Sequence, residues 1–345
     1  MSDMHSSDNY SRIDEITQRL LNGGEMSADE GRWMINLDDD YLTWLMAGAD
    51  RIRRNFRGNK VEVCAISNVR SGNCSENCSF CSQSGHHKET KAPVYDYIKS
   101  EELVSQAKQA REWGASDFGV VSKGWGVRSD KERNQLKEYF SELKEHSEIG
   151  RCASLGALDR DTADMLKEQG MENYHHNLEC AESFFDKVCT THTYQENIDT
   201  IRHAADAGLR VCAGGILGMG ESLDQRVELA DTLRKLDVKS VPLNFLNPQD
   251  GTPFAENTTM VPQEILKSIA VFRYMLPQAE IRIAGGRHFL GDMQSMIFMA
   301  GASGVMIGDY LTTTGRKVEQ DIKMIQDLHL TAREDTQSRR VASSA

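Results

Sequence analysis

Short β-branched runs alternate with amphipathic helical segments from Val61 to about residue 312, and this alternation constrains the fold more than any other feature of the chain. Eight runs are predicted as strands: Val61–Ser67, Ser116–Ser122, Gly150–Gly156, Glu172–Leu178, Leu209–Gly215, Ser240–Leu246, Glu280–Ala284 and Gly304–Ile307. The helical patterns between them are Ser100–Trp113, Asp130–His146, Arg160–Gln169, Tyr194–Ala207, Leu223–Leu236, Pro262–Tyr274 and Gln294–Ala300. Consecutive βα units in this number are typical of a closed barrel, whereas an open doubly wound sheet commonly has about five or six strands and a switch point. The sequence therefore predicts an α/β protein with a (β/α)8 TIM barrel.

Helical and polar segments flank the predicted barrel. Residues 1–9 are polar and predicted to be disordered, and Tyr10–Asn22 has the apolar spacing of a helix. A second helix is predicted to begin after the N-cap Ser27 and to continue through Tyr41–Phe56. The predicted organisation is an N-terminal helical extension at 1–57 that covers one end of the barrel, the barrel itself at 58–330, and a flexible tail at 331–345.

Three cysteines, Cys74, Cys78 and Cys81, follow the first predicted strand in a C-x3-C-x2-C spacing. Three thiolates this close cannot all pair as disulfides, but they can all face one metal centre. A structural zinc site takes four protein ligands, so a zinc knuckle would need His86 or His87 to complete it. An iron–sulfur cluster fits three cysteines better, because an iron without a protein ligand can bind a small molecule. Loops after barrel strands carry the chemistry of this fold, which predicts a cluster at the top of the barrel.

With Phe80 immediately before the last cysteine, this loop resembles the signature of the radical S-adenosylmethionine enzymes. The resemblance implies a [4Fe-4S] cluster on Cys74, Cys78 and Cys81, and it places Phe80 beside the cofactor. In such enzymes the open iron binds the amino and carboxylate groups of S-adenosylmethionine, and one electron cleaves the cofactor to a 5'-deoxyadenosyl radical. A reducing flavodoxin or ferredoxin is the expected electron donor.

Composition and charge indicate the class of substrate and the cellular compartment. The formal charge of -12 argues against a nucleic-acid-binding surface and favours a small-molecule substrate. No run of about 18 apolar residues is present, and the N-terminus lacks the basic and apolar regions of a signal peptide, which predicts no membrane span and a cytoplasmic protein. In that compartment the 8 cysteines are expected to be reduced thiols or metal ligands.

Four residues occupy equivalent places in alternate predicted strands: Cys64, Cys152, Cys212 and Arg282. A (β/α)8 interior is built in layers of four side chains from alternate strands, so these residues are predicted to form one layer. Each cysteine alone is equally compatible with core packing. A buried arginine among three thiols needs an anionic partner, and a second, thiolate-ligated iron–sulfur cluster would supply it.

Further stretches of the chain resemble the biotin synthase family over about residues 40–330. The matching stretches are 71–84, 174–179, 191–196, 211–221, 241–246, 251–253 and 282–287. In that family a second cluster, [2Fe-2S] or a variant of it, lies deep in the barrel and donates the sulfur that is inserted into dethiobiotin. The resemblance implies dethiobiotin as the substrate, a homodimer, and Cys152, Cys212 and Arg282 as ligands of the second cluster.

The family's remaining cluster ligand is a cysteine on the second strand, where this chain has Gly119. Cys64 on the first strand is the expected replacement, in a place where the family carries a small hydroxyl residue. Two other cysteines, Cys180 and Cys189, lie outside the predicted layer and are interpreted as incidental.

The predicted fourth strand places His175, Asn177 and Glu179 on one face, because side chains alternate along a strand. Family resemblance makes this the inner face, with Asn177 and Glu179 bound to the ribose of S-adenosylmethionine. Asn244 is expected to contact the nucleotide or the substrate. His175 stands where the family has an asparagine that contacts dethiobiotin.

Three functions are compatible with these residues. The first is sulfur insertion that converts dethiobiotin to biotin. The second is a related radical enzyme, a mutase or a maturase without sulfur insertion, which Gly119 and His175 favour. The third is a non-catalytic iron–sulfur scaffold, against which the predicted adenosine-binding residues Asn177 and Glu179 argue.

Overall fold

The computed structural model describes the backbone of residues 2–332 and the side chains of residues 8–332. A parallel barrel is built from β1 Lys60–Arg70, β2 Asp117–Ser122, β3 Gly150–Ser154, β4 Asn173–His175, β5 Arg210–Cys212, β6 Gly215–Leu217, β7 Ser240–Phe245, β8 Glu280–Ile283 and β9 Gly304–Met306. Neighbouring strands around the ring pair in parallel, and both β5 and β6 pair with β7. The pairing of β1 with β9 closes the barrel. The predicted (β/α)8 barrel is confirmed.

One barrel strand is interrupted, so that β5 and β6 together take the place of a single predicted strand. The break falls at Gly214, where the backbone lies so close to β7 that a Cβ atom would collide with the Pro242 carbonyl oxygen. Pro242 also has no N–H to donate to the ladder between the two strands. The chain therefore pairs with β7 through Cys212 below the break and through β6 above it.

The helices are α1 Ser2–Leu21, α2 Ala28–Ile35, α3 Leu42–Arg57, α4 Ser100–Glu112, α5 Asp130–His146, α6 Arg160–Glu168, α7 Tyr194–Asp206, α8 Leu223–Lys235, α9 Pro262–Met275, α10 Met296–Met299 and α11 Val318–Asp327. Short 3-10 helices span Asp39–Tyr41, Glu182–Lys187 and Arg287–Met293. Capping boxes fix the starts of α2, α5, α7 and α8, with Ser27, Ser129, Thr193 and Ser222 as their N-caps. Each cap satisfies backbone N–H groups that the first helical turn leaves without partners.

The N-terminal extension differs from its prediction in three respects. Helix α1 begins at Ser2, so residues 2–9 are helical and not disordered. Polar residues can form the first turns of a helix, and the buried apolar residues from Ile13 onward hold this helix against the protein. The predicted second helix is two helices, because α2 ends at Ile35 before the chain turns into α3. These helices pack mainly on α8 and α9 at the side of the barrel, and only the end of α3 reaches the lower end of the strands.

The C-terminal part of the barrel also extends further than the sequence indicates. Helix α11 follows β9, and its Asp321 accepts hydrogen bonds from the Arg287 guanidinium at 2.8 and 2.6 Å in a buried ion pair. Residues Thr331–Ala332 form β10, which pairs with the start of β1 and so is not part of a flexible tail. The rest of the predicted tail, 333–345, lies outside the described residues.

Candidate active site

A cavity of about 380 Å³ lies inside the barrel near the carboxyl ends of the strands. Of the predicted site residues it is lined by Cys64, Phe80, Cys81, Cys152, His175, Asn177, Glu179, Cys212, Asn244 and Arg282. Gly119 also lines it and is paired with Ile66 of β1 and Cys152 of β3, whereas Cys64 is paired with Asp117. The structure therefore brings Cys81 of the loop and the predicted layer to one space, while Cys74 and Cys78 are not among the residues that line it.

The cysteine loop is held in shape by its own backbone. Cys74 donates its N–H to the Gln83 carbonyl at 2.8 Å, and its own carbonyl accepts from the N–H of Gly85 at 2.8 Å. The N–H of Cys81 donates to the Cys78 carbonyl at 3.0 Å. Burial raises the pKa of Cys81 to about 11, and the negative charge of Cys74 adds to this shift. A metal centre that binds both thiolates would relieve this repulsion.

The histidines that could complete a zinc knuckle are engaged elsewhere. The Nε2 atom of His86 lies 2.9 Å from the Ser75 carbonyl oxygen, and Nε2 of His87 lies 3.1 Å from that of Cys78. Within residues 8–332, a group of histidine, cysteine and acidic ligand atoms close enough for one ion occurs at Glu76, Cys189 and His192 instead. The geometry gives no support to a zinc site completed by His86 or His87.

Cys189, which the sequence suggests is incidental, contacts the cysteine loop. Its sulfur lies 3.8 Å from the sulfur of Cys78, although the two residues are 111 positions apart. The hydrogen bond from Cys78 lowers the pKa of Cys189 to about 3, with smaller contributions from His192 and Thr191. The sequence signal was its place two residues before the matching stretch 191–196, on a segment that contacts the cysteine loop.

The predicted layer is built around Cys212. The guanidinium of Arg282 donates to its sulfur at 3.4 Å, Ser240 Oγ donates at 3.4 Å, and Nδ1 of His175 lies at 3.5 Å. Burial disfavours the charged thiolate, but the charge of Arg282 and the hydrogen bond from His175 outweigh it and lower the pKa of Cys212. Burial raises the pKa of Cys64 and Cys152, so these two thiols must lose protons when they bind metal.

Arg282 has an anionic partner that sequence analysis missed. Its second guanidinium nitrogen donates to Glu62 Oε2 at 2.6 Å, and Glu62 Oε1 accepts from Arg210 at 2.8 Å. Glu62 stands two positions before Cys64 on the same face of β1, a signal that strand alternation already carried. The cation is therefore balanced within the protein, so the buried charge does not require a second cluster; Cys64, Cys152 and Cys212 all line one cavity.

The residues beyond β4 converge on the same cavity, although the strand ends at His175. Asn177 donates to Glu179 Oε2 at 3.2 Å and accepts at its Oδ1 from the N–H of Gly214 at 3.1 Å. Glu179 has a left-handed backbone with φ of 65°, and its carbonyl accepts from Ile216 at 2.8 Å. Burial raises the pKa of Glu179 to about 7, while His175 and Asn177 oppose that shift.

Asn244 of β7 is fixed by two backbone groups at the edge of the cavity. Its Oδ1 accepts from the N–H of Gly285 at 2.9 Å, and its Nδ2 donates to the Gly215 carbonyl at 3.3 Å. Phe80 packs against the hydrophobic core while its ring also faces the cavity. These contacts orient both side chains without any bound molecule.

Comparison with known proteins places this geometry in a family. Residues 68–233 match the model of the Radical SAM superfamily, and residues 242–331 match that of the Biotin and Thiamin Synthesis associated domain. The chain is 47% identical to the biotin synthase of Geotalea daltonii, over 92% of this chain and 97% of that protein. It is 46% identical to the biotin synthase of Geobacter sulfurreducens, over 93% of this chain and 98% of that protein.

The chain belongs to the biotin synthase family. The resemblance seen in the sequence is therefore confirmed, and with it the class of radical S-adenosylmethionine sulfurtransferases. No helix within the described residues is long and apolar enough to cross a membrane.

Solved structures extend the likeness at the level of fold. Methylornithine synthase superposes with a TM-score of 0.81 and 18% identity, over 92% of this chain and 97% of that one. The [FeFe]-hydrogenase maturase HydG from Carboxydothermus hydrogenoformans superposes with a TM-score of 0.76 and 19% identity, over 94% of this chain and 80% of that one. At these identities the likeness concerns the barrel alone, and membership of the biotin synthase family carries the functional argument.

Proposed function

We propose that this protein converts dethiobiotin to biotin by radical sulfur insertion, with two iron–sulfur clusters that open on one barrel cavity. The observation that carries the proposal is the arrangement of two separate thiol sets around that cavity, in a chain of this family. Cys81 of the loop set and Cys64, Cys152 and Cys212 of the inner set all line it. A sulfur donor and a radical source need this proximity, because they act on the same substrate molecule.

The donor set of the loop fits a [4Fe-4S] cluster. Cys74, Cys78 and Cys81 would hold three irons and leave one without a protein ligand. The cluster and S-adenosylmethionine together supply a 5'-deoxyadenosyl radical when bound. Phe80, within the loop, would shield the cofactor from water, since it lines the cavity.

The polar residues near the carboxyl end of β4 would orient S-adenosylmethionine. Glu179, once ionised, accepts hydrogen bonds from two hydroxyl groups, which is the pattern that a ribose offers. Asn177 holds this carboxylate at 3.2 Å. Asn244 would contact the nucleotide or the substrate, and His175 would contact the substrate in place of an asparagine.

The inner set would hold the second cluster through Cys64, Cys152 and Cys212. Gly119 brings no thiol to the cavity, so Cys64 supplies the ligand that the family carries on the second strand. Arg282 stays protonated because Glu62 binds it at 2.6 Å, and a guanidinium in that state is a hydrogen-bond donor and a poor metal ligand. Its proposed part is to donate to Cys212 and to sulfide, and so to balance charge.

The walls of the barrel protect the reaction. Much of the surface around the polar groups is apolar, with Ala65, Ile66, Val121 and Leu246 among the lining residues. A primary radical abstracts hydrogen from an unactivated carbon only if other donors and water are kept away. We further propose a reducing flavodoxin or ferredoxin as electron donor and a cytoplasmic homodimer, in line with the family expectations.

A second candidate function is a mutase or maturase reaction without sulfur insertion, which Gly119 and His175 favour over typical family members. Turnover separates the candidates. Anaerobic protein would be supplied with S-adenosylmethionine, a reductant and dethiobiotin, and both 5'-deoxyadenosine and biotin would be measured by mass spectrometry. Biotin formation is the expected result. 5'-Deoxyadenosine without biotin would favour the mutase or maturase, and the absence of both would favour a scaffold.

A further inference from the structure

The thiols of Cys78 and Cys189 are the one pair of cysteine side chains in hydrogen-bond contact within residues 8–332, with their sulfurs 3.8 Å apart. Hydrogen bonds from the residues on either side of Cys78 hold the two segments together. Asn77 accepts at its Oδ1 from the N–H of Thr190 at 2.9 Å, and Ser79 donates its N–H to the carbonyl of residue 188 at 2.8 Å. The two thiols are therefore held together by the backbone of the segments that carry them.

Polar groups surround the sulfur of Cys189. The hydroxyl oxygen of Thr191, Nδ1 of His192 and Oδ1 of Asn77 each lie 3.3 Å from it, and the Asn77 oxygen accepts a hydrogen bond from the thiol. Glu76 lies 2.9 Å from the same ring nitrogen of His192, and the Trp125 ring stacks on that imidazole with 3.8 Å between ring centroids. These contacts hold the side chain of Cys189 in place beside Cys78.

We propose that Cys78 and Cys189 form a reversible disulfide in the cluster-free chain, by exchange with a low-molecular-weight disulfide such as oxidised glutathione. Cys78, the more exposed of the two, loses its proton to solvent and attacks one glutathione sulfur; the glutathione S–S bond breaks, and one glutathione thiolate leaves. Cys189, after losing its proton in turn, attacks the Cys78 sulfur and releases the second glutathione thiolate. Two protein thiols are oxidised, and one glutathione disulfide is reduced to two thiols.

The geometry allows this bond with a small movement. Disulfide sulfurs lie about 2.05 Å apart, so the two sulfurs must approach by roughly 1.8 Å, a distance that rotation about side-chain bonds covers. The product would remove Cys78 from the set of cluster ligands until a thiol reductant restores it. The loss of Cys78 as a cluster ligand rests on the proposed function, whereas the disulfide itself does not.

Peptide mapping tests the bond. The full chain is freed of iron with a chelator under anaerobic conditions, incubated with oxidised glutathione, alkylated and digested with trypsin without reduction. Peptides 71–88 and 188–202 are expected as one linked species, with Cys74 and Cys81 alkylated. A disulfide confined to peptide 71–88, a stable glutathione adduct on Cys78 or Cys189, or no oxidation would each overturn the proposal.

Variants identify the partners of the linkage. Cys189→Ser should lose the linked species, while Cys180→Ser, a matched change at another buried cysteine, should keep it. Cys74→Ser and Cys81→Ser should also keep it. A linked species that survives in Cys78→Ser would show that another loop cysteine is the partner, which contradicts the proposal.

The cluster-loaded chain separates this proposal from the proposed function. No linked species is expected there, because Cys78 would be bound to iron. Oxidised cluster-free protein should fail to take up iron and sulfide until dithiothreitol is added, whereas oxidised Cys189→Ser should take them up without it. Linkage in a loaded chain that keeps its iron would refute Cys78 as a ligand and leave the disulfide standing. Failure to link in the cluster-free chain would refute the disulfide alone.

Discussion

Glu179 shows how a single residue can tie the proposed chemistry to pH. Burial keeps its carboxyl group protonated below a pKa of about 7, whereas ribose hydroxyl groups bind best to the ionised form. The affinity for S-adenosylmethionine should therefore rise as the pH rises through about 7, and fall below it by up to about tenfold per pH unit. Titration of the cluster-loaded protein by calorimetry between pH 6 and pH 8 measures this.

Three variants control that measurement. Glu179→Gln cannot ionise, so the difference between its pH profile and that of the wild type isolates the carboxyl group from the titration of the cofactor itself. Glu179→Ala and Asn177→Ala should each weaken binding by about 1–3 kcal/mol, the cost of leaving partners in a dry site unsatisfied. Unchanged affinity in both alanine variants would mean that this face does not touch the cofactor.

The loop cysteines give a sharper result, because a cluster needs all of its ligands. Alanine at Cys74, Cys78 or Cys81 should abolish 5'-deoxyadenosine formation and remove the iron of the first cluster. Cys180→Ala provides the matched control, since this cysteine is buried outside the cavity and its loss should leave 5'-deoxyadenosine formation intact. Activity retained in any loop variant, measured by chromatography of the reaction products, would refute the assignment of that cysteine.

Glu62 is expected to contribute both stability and position. Replacing it with glutamine leaves the buried Arg282 guanidinium without its carboxylate at 2.6 Å, which should lower the free energy of unfolding by about 3–5 kcal/mol. Urea denaturation of the cluster-free chain measures the loss, with the exposed Glu145→Gln as control. A change of less than about 0.5 kcal/mol would show that the ion pair is of no consequence for the fold.

Strand alternation put His175, Asn177 and Glu179 on one face, and the family resemblance made that face the inner one. All three line the cavity, although β4 ends at His175 and the other two lie beyond it. Alternation says nothing about contacts between distant segments. The sulfur contact of Cys189 with Cys78 spans 111 residues and was missed for this reason.

At the scale of elements, the fold was predictable because the period of apolar residues changes from 2 in the strands to about 3.6 in the helices. The break between β5 and β6 was not predictable, because it depends on Pro242 of a different strand. The start of α1 was missed because polar residues precede its apolar face. Helix α11 was missed because the regular alternation was followed only to about residue 312, where β9 has ended.

Gly214 and Gly119 make a matched pair for testing the close packing of strands. A Cβ at Gly214 would collide with the Pro242 backbone, whereas one at Gly119 would lie 3.0 Å from the Ile66 Cγ2 methyl and 3.9 Å from the Ala65 carbonyl oxygen. Gly214→Ala should therefore destabilise the protein by about 3 kcal/mol and displace Asn177, while Gly119→Ala should cost about 1 kcal/mol or less. Thermal unfolding of both variants measures this, and equal losses would contradict the account of the break.

At the scale of the whole molecule, the two ends of the barrel carry different groups of residues. Arg57 and Arg210 pair with Glu280 at the amino ends of the strands, and Arg210 also pairs with Glu62, which connects this network to Arg282. The extension at 1–57 packs on α8 and α9 and brings Arg57 to that network. The lower end therefore holds charges that support the cavity, and the upper end carries the cysteine loop.

Metal analysis of Cys64→Ser tests the central claim most directly, because that claim is a second cluster held without a cysteine on β2. Anaerobically purified wild type, Cys64→Ser and Cys180→Ser would be compared by iron and sulfide content and by Mössbauer spectra. The account predicts that Cys64→Ser alone loses the second cluster and biotin formation, keeps 5'-deoxyadenosine formation, and regains the cluster when Gly119→Cys is added. A Cys64→Ser protein with its full iron complement and undiminished biotin formation would contradict it.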